Sequence, residues 1–191
     1  MLKGKYVGLR AVNKDDLPQL MEWRNQPHFR QFFREYKEIG ETQQEKWYEK
    51  FVIQDPATLM FSIVDLETNR LMGACGLCYI NSVNRTCDLS IYIGADDLYI
   101  DEQYAPDTAL TLMKYAFEEV NINKLWAEVY DFDYAKIHFF KQLGFQEEGR
   151  HRENYWSGGK WHDSLFFGLL RTEYTKANAH LANNDNAHSA A

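Results

Sequence analysis

The sequence predicts an α/β (α+β) fold: one mixed, largely antiparallel central sheet of about six to seven strands, flanked by about four helices. Three observations lead there. Short runs rich in β-branched and aromatic residues alternate with period two, while other stretches repeat their apolar residues at helical spacing. Several strand-like runs are joined by short turns, which makes hairpins. Between Cys87 and Phe145 the order is strand, loop, helix, strand, helix. The chain has 191 residues, 45% of them hydrophobic and 15% aromatic, which suits one domain with a real core. We read residues 1–174 as that domain.

Tyr6 to Val12 alternates and makes the first strand. Asn13 stands three residues before Asp16 in a capping-box arrangement, and Leu17, Leu20 and Met21 form the inward stripe of the helix that follows. Pro27 bounds that helix. The segment His28 to Tyr36 is dense in aromatics and Arg. Such interleaving can stack nucleic-acid bases, but the segment is short and the protein acidic, so an acceptor-site loop or plain packing is the better reading. Thr42-Gln43-Gln44-Glu45 reads as a capping box for a second helix to about Gln54, with Trp47, Tyr48, Phe51 and Val52 inward.

Leu59 to Asp65 and Leu71 to Ile80 are two strands joined by Glu67-Thr68-Asn69-Arg70. Gly73 and Gly76 in the second point to a bulge or a close approach by another segment. Cys75 and Cys78 form a C-x-x-C string, but residues three apart on a strand face opposite ways and share no metal. Cys87 to Ile93 is the next strand. A polar loop from Gly94 to Ala105 leads into a helix from Pro106 to Val120, with Pro106 suited to the first helical position. Loop and helix N-terminus together make an anion site. A strand from Lys124 to Tyr130 and a helix from Asp133 to Leu143, capped by Gly144, complete the block. Phe145 to Trp156 and Trp161 to Arg171 form a last hairpin about Ser157-Gly158-Gly159-Lys160. From Thr175 to residue 191 the composition turns polar and Ala-rich, the mark of a disordered tail, and His180 and His188 there read as chance.

The net charge is −7. That argues against a nucleic-acid binder driven by phosphate contacts. No apolar run approaches membrane-spanning length and no apolar signal core opens the chain, so the expected compartment is the cytoplasm, without membrane association. Three cysteines, an odd number, suit a reducing environment. No metal site is expected.

The Cys87–Phe145 block resembles the acetyl-CoA-binding core of the GNAT acyltransferase superfamily. The echoes are Tyr104-Ala105-Pro106-Asp107, Tyr115-Ala116-Phe117-Glu118-Glu119 and Leu143-Gly144-Phe145. Glu147-Glu148-Gly149-Arg150 and Gly159-Lys160-Trp161-His162-Asp163 are similar to the branch with ribosomal-protein N-terminal, spermidine and nucleotide-amino-sugar acetyltransferases. The resemblance implies acetyl-CoA as co-substrate, its pyrophosphate on a Q/R-x-x-G-x-G/A loop. Ile100-Asp101-Glu102-Gln103-Tyr104-Ala105 falls on that pattern, followed by Pro106. Only the last small residue is kept, and two acids intervene, which would repel a pyrophosphate unless they point outward.

The resemblance also places a carbonyl-polarising backbone N–H near Ile91 to Ile93 and a base at Asp88, with Glu128 as second candidate. The pattern N-x-x-A-x-x-x-Y-x-x-x-G-F puts Asp133 where relatives have Asn, and Phe140 where they have the Tyr that protonates the thiolate. Tyr134 or Tyr130 is then the substitute acid. Glu22, Arg24 and Asn25, at the end of the first helix, are the expected acceptor residues. The implied activity is N-acetylation of a primary amine on a small molecule, a nucleotide-linked amino sugar or a polyamine. Acetylation of a protein N-terminus and a non-catalytic binding domain are the alternatives. Oligomeric state stays open, a homodimer being one option.

Overall fold

A computed structural model describes residues 1–176. The expected core is an eight-stranded mixed sheet in the order β1-β2-β3-β4-β5-β6-β8-β7. Its strands are β1 (Leu2–Lys3), β2 (Val7–Ala11), β3 (Leu59–Asp65), β4 (Leu71–Asn81), β5 (Thr86–Ile93), β6 (Lys124–Tyr130), β7 (Gln146–Ser157) and β8 (Lys160–Leu170). The strand beyond the expected six to seven is β1, two residues long and without a pattern to reveal it. Every neighbouring pair is antiparallel except β5 and β6.

The helices are α1 (Leu17–Asn25), α2 (Pro27–Arg30), α3 (Glu41–Trp47), α4 (Tyr104–Lys114) and α5 (Tyr134–Gln142). Both α3 and α4 run on into wider, π-type turns, to Gln54 and Glu119. Three local expectations are corrected. Helix α3 starts after Gly40, so the Thr42 capping box lies within the helix. Helix α4 starts at Tyr104, which makes Pro106 its third residue, still among the N–H positions with no intrahelical partner. Residues 171–176 are helical, and Thr175 Oγ1 donates to Arg171 O (2.9 Å), so Thr175 and Lys176, expected in the tail, belong to a helical turn. The rest of the tail, with His180 and His188, lies outside the described residues.

Strands β5 and β6 pair only over Thr86–Asp88 and Lys124–Trp126. Beyond Asp88 and Trp126 they part, while β5 stays paired with β4 and β6 with β8. The sheet therefore opens into a V whose apex is the Asp88–Trp126 pair. Against one face of the sheet packs α4, through buried Ala105, Ala109, Leu112 and Met113. Close strand packing explains Gly73 and Gly76. A Cβ on Gly73 would lie 2.2 Å from Tyr92 O, and one on Gly76 2.8 Å from Leu59 O.

Candidate active site

At the apex, β5 sets Asp88 inward at 4% exposure. From β6, Glu128 comes to the same place, and one cation serves both. Arg34 Nε donates to Glu128 Oε2 at 3.0 Å, and Arg34 Nη1 lies 3.5 Å from Asp88 Oδ2. Burial raises the Asp88 pKa above the ordinary carboxylate range, although the Arg34 charge pulls the other way. Burial also works against the Arg34 charge, but Asp88 and Glu128 outweigh it and hold its pKa high.

These groups line a cavity of about 490 Å³. Of the residues expected in the site, Asp88, Phe140 and Arg24 line it, as do Glu128 and Tyr130. Glu22 is exposed outside it, taking a hydrogen bond from Gln19 (3.1 Å). Asn25 is a structural clamp: its side chain donates to Ile39 O (2.8 Å) and accepts from Ile39 N (2.7 Å). Tyr134 is 77% exposed at the start of α5 and does not line this cavity.

Three further residues contribute, of which only Arg34 falls in a segment, His28 to Tyr36, that the sequence offered as an acceptor-site loop. Arg34 is one; it sits in a segment with no regular structure after α2. Gln44 is another, 3% exposed on α3, with Oε1 unpaired among the described residues. The third is Lys136, one helical turn before Phe140 on the same face of α5, which also lines the cavity. Its ammonium lies over the Tyr99 ring at 5.2 Å, with no carboxylate within ion-pair distance among the described residues. Burial lowers its pKa, opposed by Asp133 and Asp88. Tyr130 is stacked on Tyr155 at 3.6 Å, and burial drives its pKa up.

Around the open V, Ile93 exchanges both backbone hydrogen bonds with Tyr99 (2.8 Å each). The Ile93 amide is thus already engaged. Backbone direction alternates along a strand, so the Ile91 N–H faces the same open side. The side chains of neither Ile91 nor Ile93 reach the cavity. The Tyr99 hydroxyl donates to Asp133 Oδ2 (2.5 Å), and Asp133 Oδ1 caps α5 by accepting from Lys136 N (3.1 Å). Asp133 is therefore committed to holding the fold.

The loop before α4 departs from expectation in an informative way. Asp101 points inward: its carboxylate accepts from Gln103 N (2.9 Å), Tyr104 N (2.8 Å) and Ala105 N (2.8 Å). Three amides at a helix N-terminus thus converge on one anion, and the chain supplies a stand-in for it. That donor set fits the pyrophosphate of coenzyme A, in competition with Asp101. Ala105 is fully buried, Pro106 partly so, and the Tyr104 hydroxyl donates to Asp65 (2.9 Å). Partly buried Ile100 packs against the core.

A family model described as the acetyltransferase (GNAT) domain matches residues 9–166. Among curated proteins, the chain is 25% identical over 166 residues to the spermidine N(1)-acetyltransferase of Vibrio cholerae, covering 87% of this chain and 94% of that one. It is 29% identical over 114 residues to the uncharacterised N-acetyltransferase p20 of Bacillus licheniformis, covering 60% of this chain and 63% of p20. A crystal structure of the Vibrio cholerae spermidine N-acetyltransferase with CoA and spermine superposes with a TM-score of 0.81 at 24% identity, over 89% of this chain and 98% of that one. That likeness bears on the fold alone.

Proposed function

The chain belongs to the GNAT acetyltransferase family, and from that premise we propose that it transfers the acetyl group of acetyl-CoA to a primary amine of a cationic aliphatic acceptor of the polyamine class. One observation carries the choice of acceptor: at the V apex two carboxylates, Asp88 and Glu128, meet on a single cation. A nucleotide-linked amino sugar is the weaker candidate. Of the three residues expected to grip it, only Arg24 faces the cavity. The spermidine acetyltransferase of Vibrio cholerae, similar over most of its length, adds support.

In this reading the Gln103–Ala105 amides hold the coenzyme pyrophosphate once Asp101 yields them. Asp88 takes the proton of the acceptor ammonium, because a carboxylate pushed up by burial is a better base at neutral pH than an exposed one. The Ile91 N–H polarises the thioester carbonyl. As the C–N bond forms and the C–S bond breaks, Lys136 gives its proton to the sulfur and regains one from the nitrogen, which becomes the neutral amide. Its pKa has moved down toward the working range, whereas that of Tyr130 has moved away from it. Phe140 adds only its apolar face.

No helix among the described residues is long and apolar enough to cross a membrane, and the cytoplasm remains our proposed compartment. A Vibrio cholerae spermidine acetyltransferase forms a dodecamer; self-association of this chain belongs to the same proposal. The test is thiol release from acetyl-CoA with spermidine, spermine, a nucleotide-linked amino sugar and an N-terminal peptide as acceptors. Polyamines should be the preferred substrates. Preference for the amino sugar or the peptide would overturn the acceptor assignment.

A further inference from the structure

Arg34 is held by more than two carboxylates. Its guanidinium lies 5.5 Å from the Tyr79 ring centroid and 5.8 Å from that of Trp126. Those two rings stack on each other at 6.0 Å and 23°. Tyr79 reaches this position from a backbone φ of 53°, at the point where the β4–β5 register shifts. A bulky residue rarely adopts that conformation, and such strain collects at functional sites. Two acids and two aromatics from three adjacent strands thus build a cage for one cation. The cage belongs to the rigid sheet, while its occupant hangs from an irregular segment and keeps 42% of its side chain exposed. Gln44 borders the same cavity, and its Oε1 is buried with no hydrogen-bond partner among the described residues.

We infer that this cage is the acceptor's cation site and that Arg34 is its built-in occupant, displaced by the acceptor's ammonium group on binding. The inference rests on the amine-acceptor reading above. Charge accounts for the arrangement. Two neighbouring carboxylates, one of them buried, are costly without a cation between them. Arg34 supplies that cation in the absence of acceptor, and exchanging a guanidinium for an ammonium leaves the local charge unchanged. The exchange needs only a side-chain swing, because the backbone is pinned on both sides. Tyr155 donates to Phe33 O (3.1 Å), and Asn25 clamps Ile39. An anionic acceptor cannot take this place, so the cage selects for positive charge.

The test is calorimetric titration of spermidine into the full chain without coenzyme, above neutral pH, together with NMR of the Arg34 Nε–H. That resonance is assigned by its loss in Arg34→Ala. Since Arg34 competes for the cage, Arg34→Ala should bind spermidine more tightly, by roughly tenfold if the cage is free in a tenth of the native molecules. Trp126→Leu should weaken binding. In the native protein, spermidine should shift the Arg34 resonance toward that of a free guanidinium. Unchanged or weaker binding by Arg34→Ala, or an Arg34 signal that spermidine does not move, makes Arg34 a fixed wall and overturns the inference. The native-protein NMR decides even if Arg34→Ala folds poorly. Spermidine acetylated while the Arg34 signal stays put would sink the cage and leave the polyamine reading standing. Spermidine that displaces Arg34 but is never acetylated would uphold the cage and sink polyamine acetylation.

Discussion

The titration of Asp88 is set by burial and by the permanent charge of Arg34. Burial raises the Asp88 pKa, and the Arg34 charge restrains the rise. A base must be deprotonated to work, so kcat/KM should climb with pH through an acid limb above the ordinary carboxylate range. Arg34→Ala removes the restraining charge, so the limb should move to higher pH; Asp88→Asn should abolish it. A limb that survives in Asp88→Asn would hand the role of base to Glu128. Lys136 yields a second expectation. Lys136→Met keeps much of the bulk and removes the proton donor, and should lower kcat on the order of a hundredfold with little change in coenzyme affinity measured by calorimetry. A Tyr130→Phe variant that loses as much would return the role to Tyr130. Asp88 could be found from its place on a strand within a resembled pattern. Arg34 could be placed only within the Arg- and aromatic-rich segment read as an acceptor-site loop or packing, without its role, and Lys136 not at all. The partners of Arg34 lie 54 and 94 residues away, and a lysine on an amphipathic helix reads as a solvent-facing residue until the facing element is known.

At the scale of the element, the N-terminus of α4 is where local structure and ligand binding compete. The Asp101 carboxylate satisfies three amides that would otherwise lack partners. Asp101→Ala should therefore cost stability, about 1 kcal/mol by analogy with lost helix caps. The same change frees the cradle and removes a like charge, so coenzyme A should bind more tightly, on the order of tenfold for one nearby charge at a partly exposed site. Thermal melts with and without coenzyme A read both effects. The unliganded melting temperature should fall and the ligand-induced shift should grow. A shrinking shift would mean that Asp101 assists the coenzyme. The strand and helix periods made the whole Cys87–Phe145 block legible, including the left-handed Gly144 (φ +88°) that ends α5. The inward turn of Asp101 was not legible, because an acid in a polar loop carries no mark of its direction. The Thr42 capping box failed for a related reason. A polar tetrad on a helix surface looks like a cap, whereas the actual start after Gly40 depends on where the preceding chain is anchored.

For the molecule as a whole, the parallel contact of β5 with β6, the one such pair among the described residues, matters most. The antiparallel runs on either side of it are continuous, so the V between β5 and β6 is the gap in an otherwise closed ladder. That gap collects the cavity, and the cavity collects charge: four carboxylates (Glu35, Asp55, Asp88, Glu128) against Arg24, Arg34 and Lys136. Around it lies a protein of net charge −7. In the sequence that charge served to argue against nucleic acid; with the cavity known it favours a cationic partner. A polyamine carrying several positive charges should be drawn in by the long-range field as well as by the cage. Salt separates the two contributions, since the screening length falls from about 10 Å at 0.1 M to about 3 Å at 1 M. Raising sodium chloride over that range should increase KM for spermidine severalfold, increase KM for a simple monoamine much less, and leave kcat nearly unchanged. A spermidine KM insensitive to salt would confine recognition to the cage. A KM that falls as salt rises would mean that the acceptor is not drawn in by negative charge, and the polyamine assignment would fall with it.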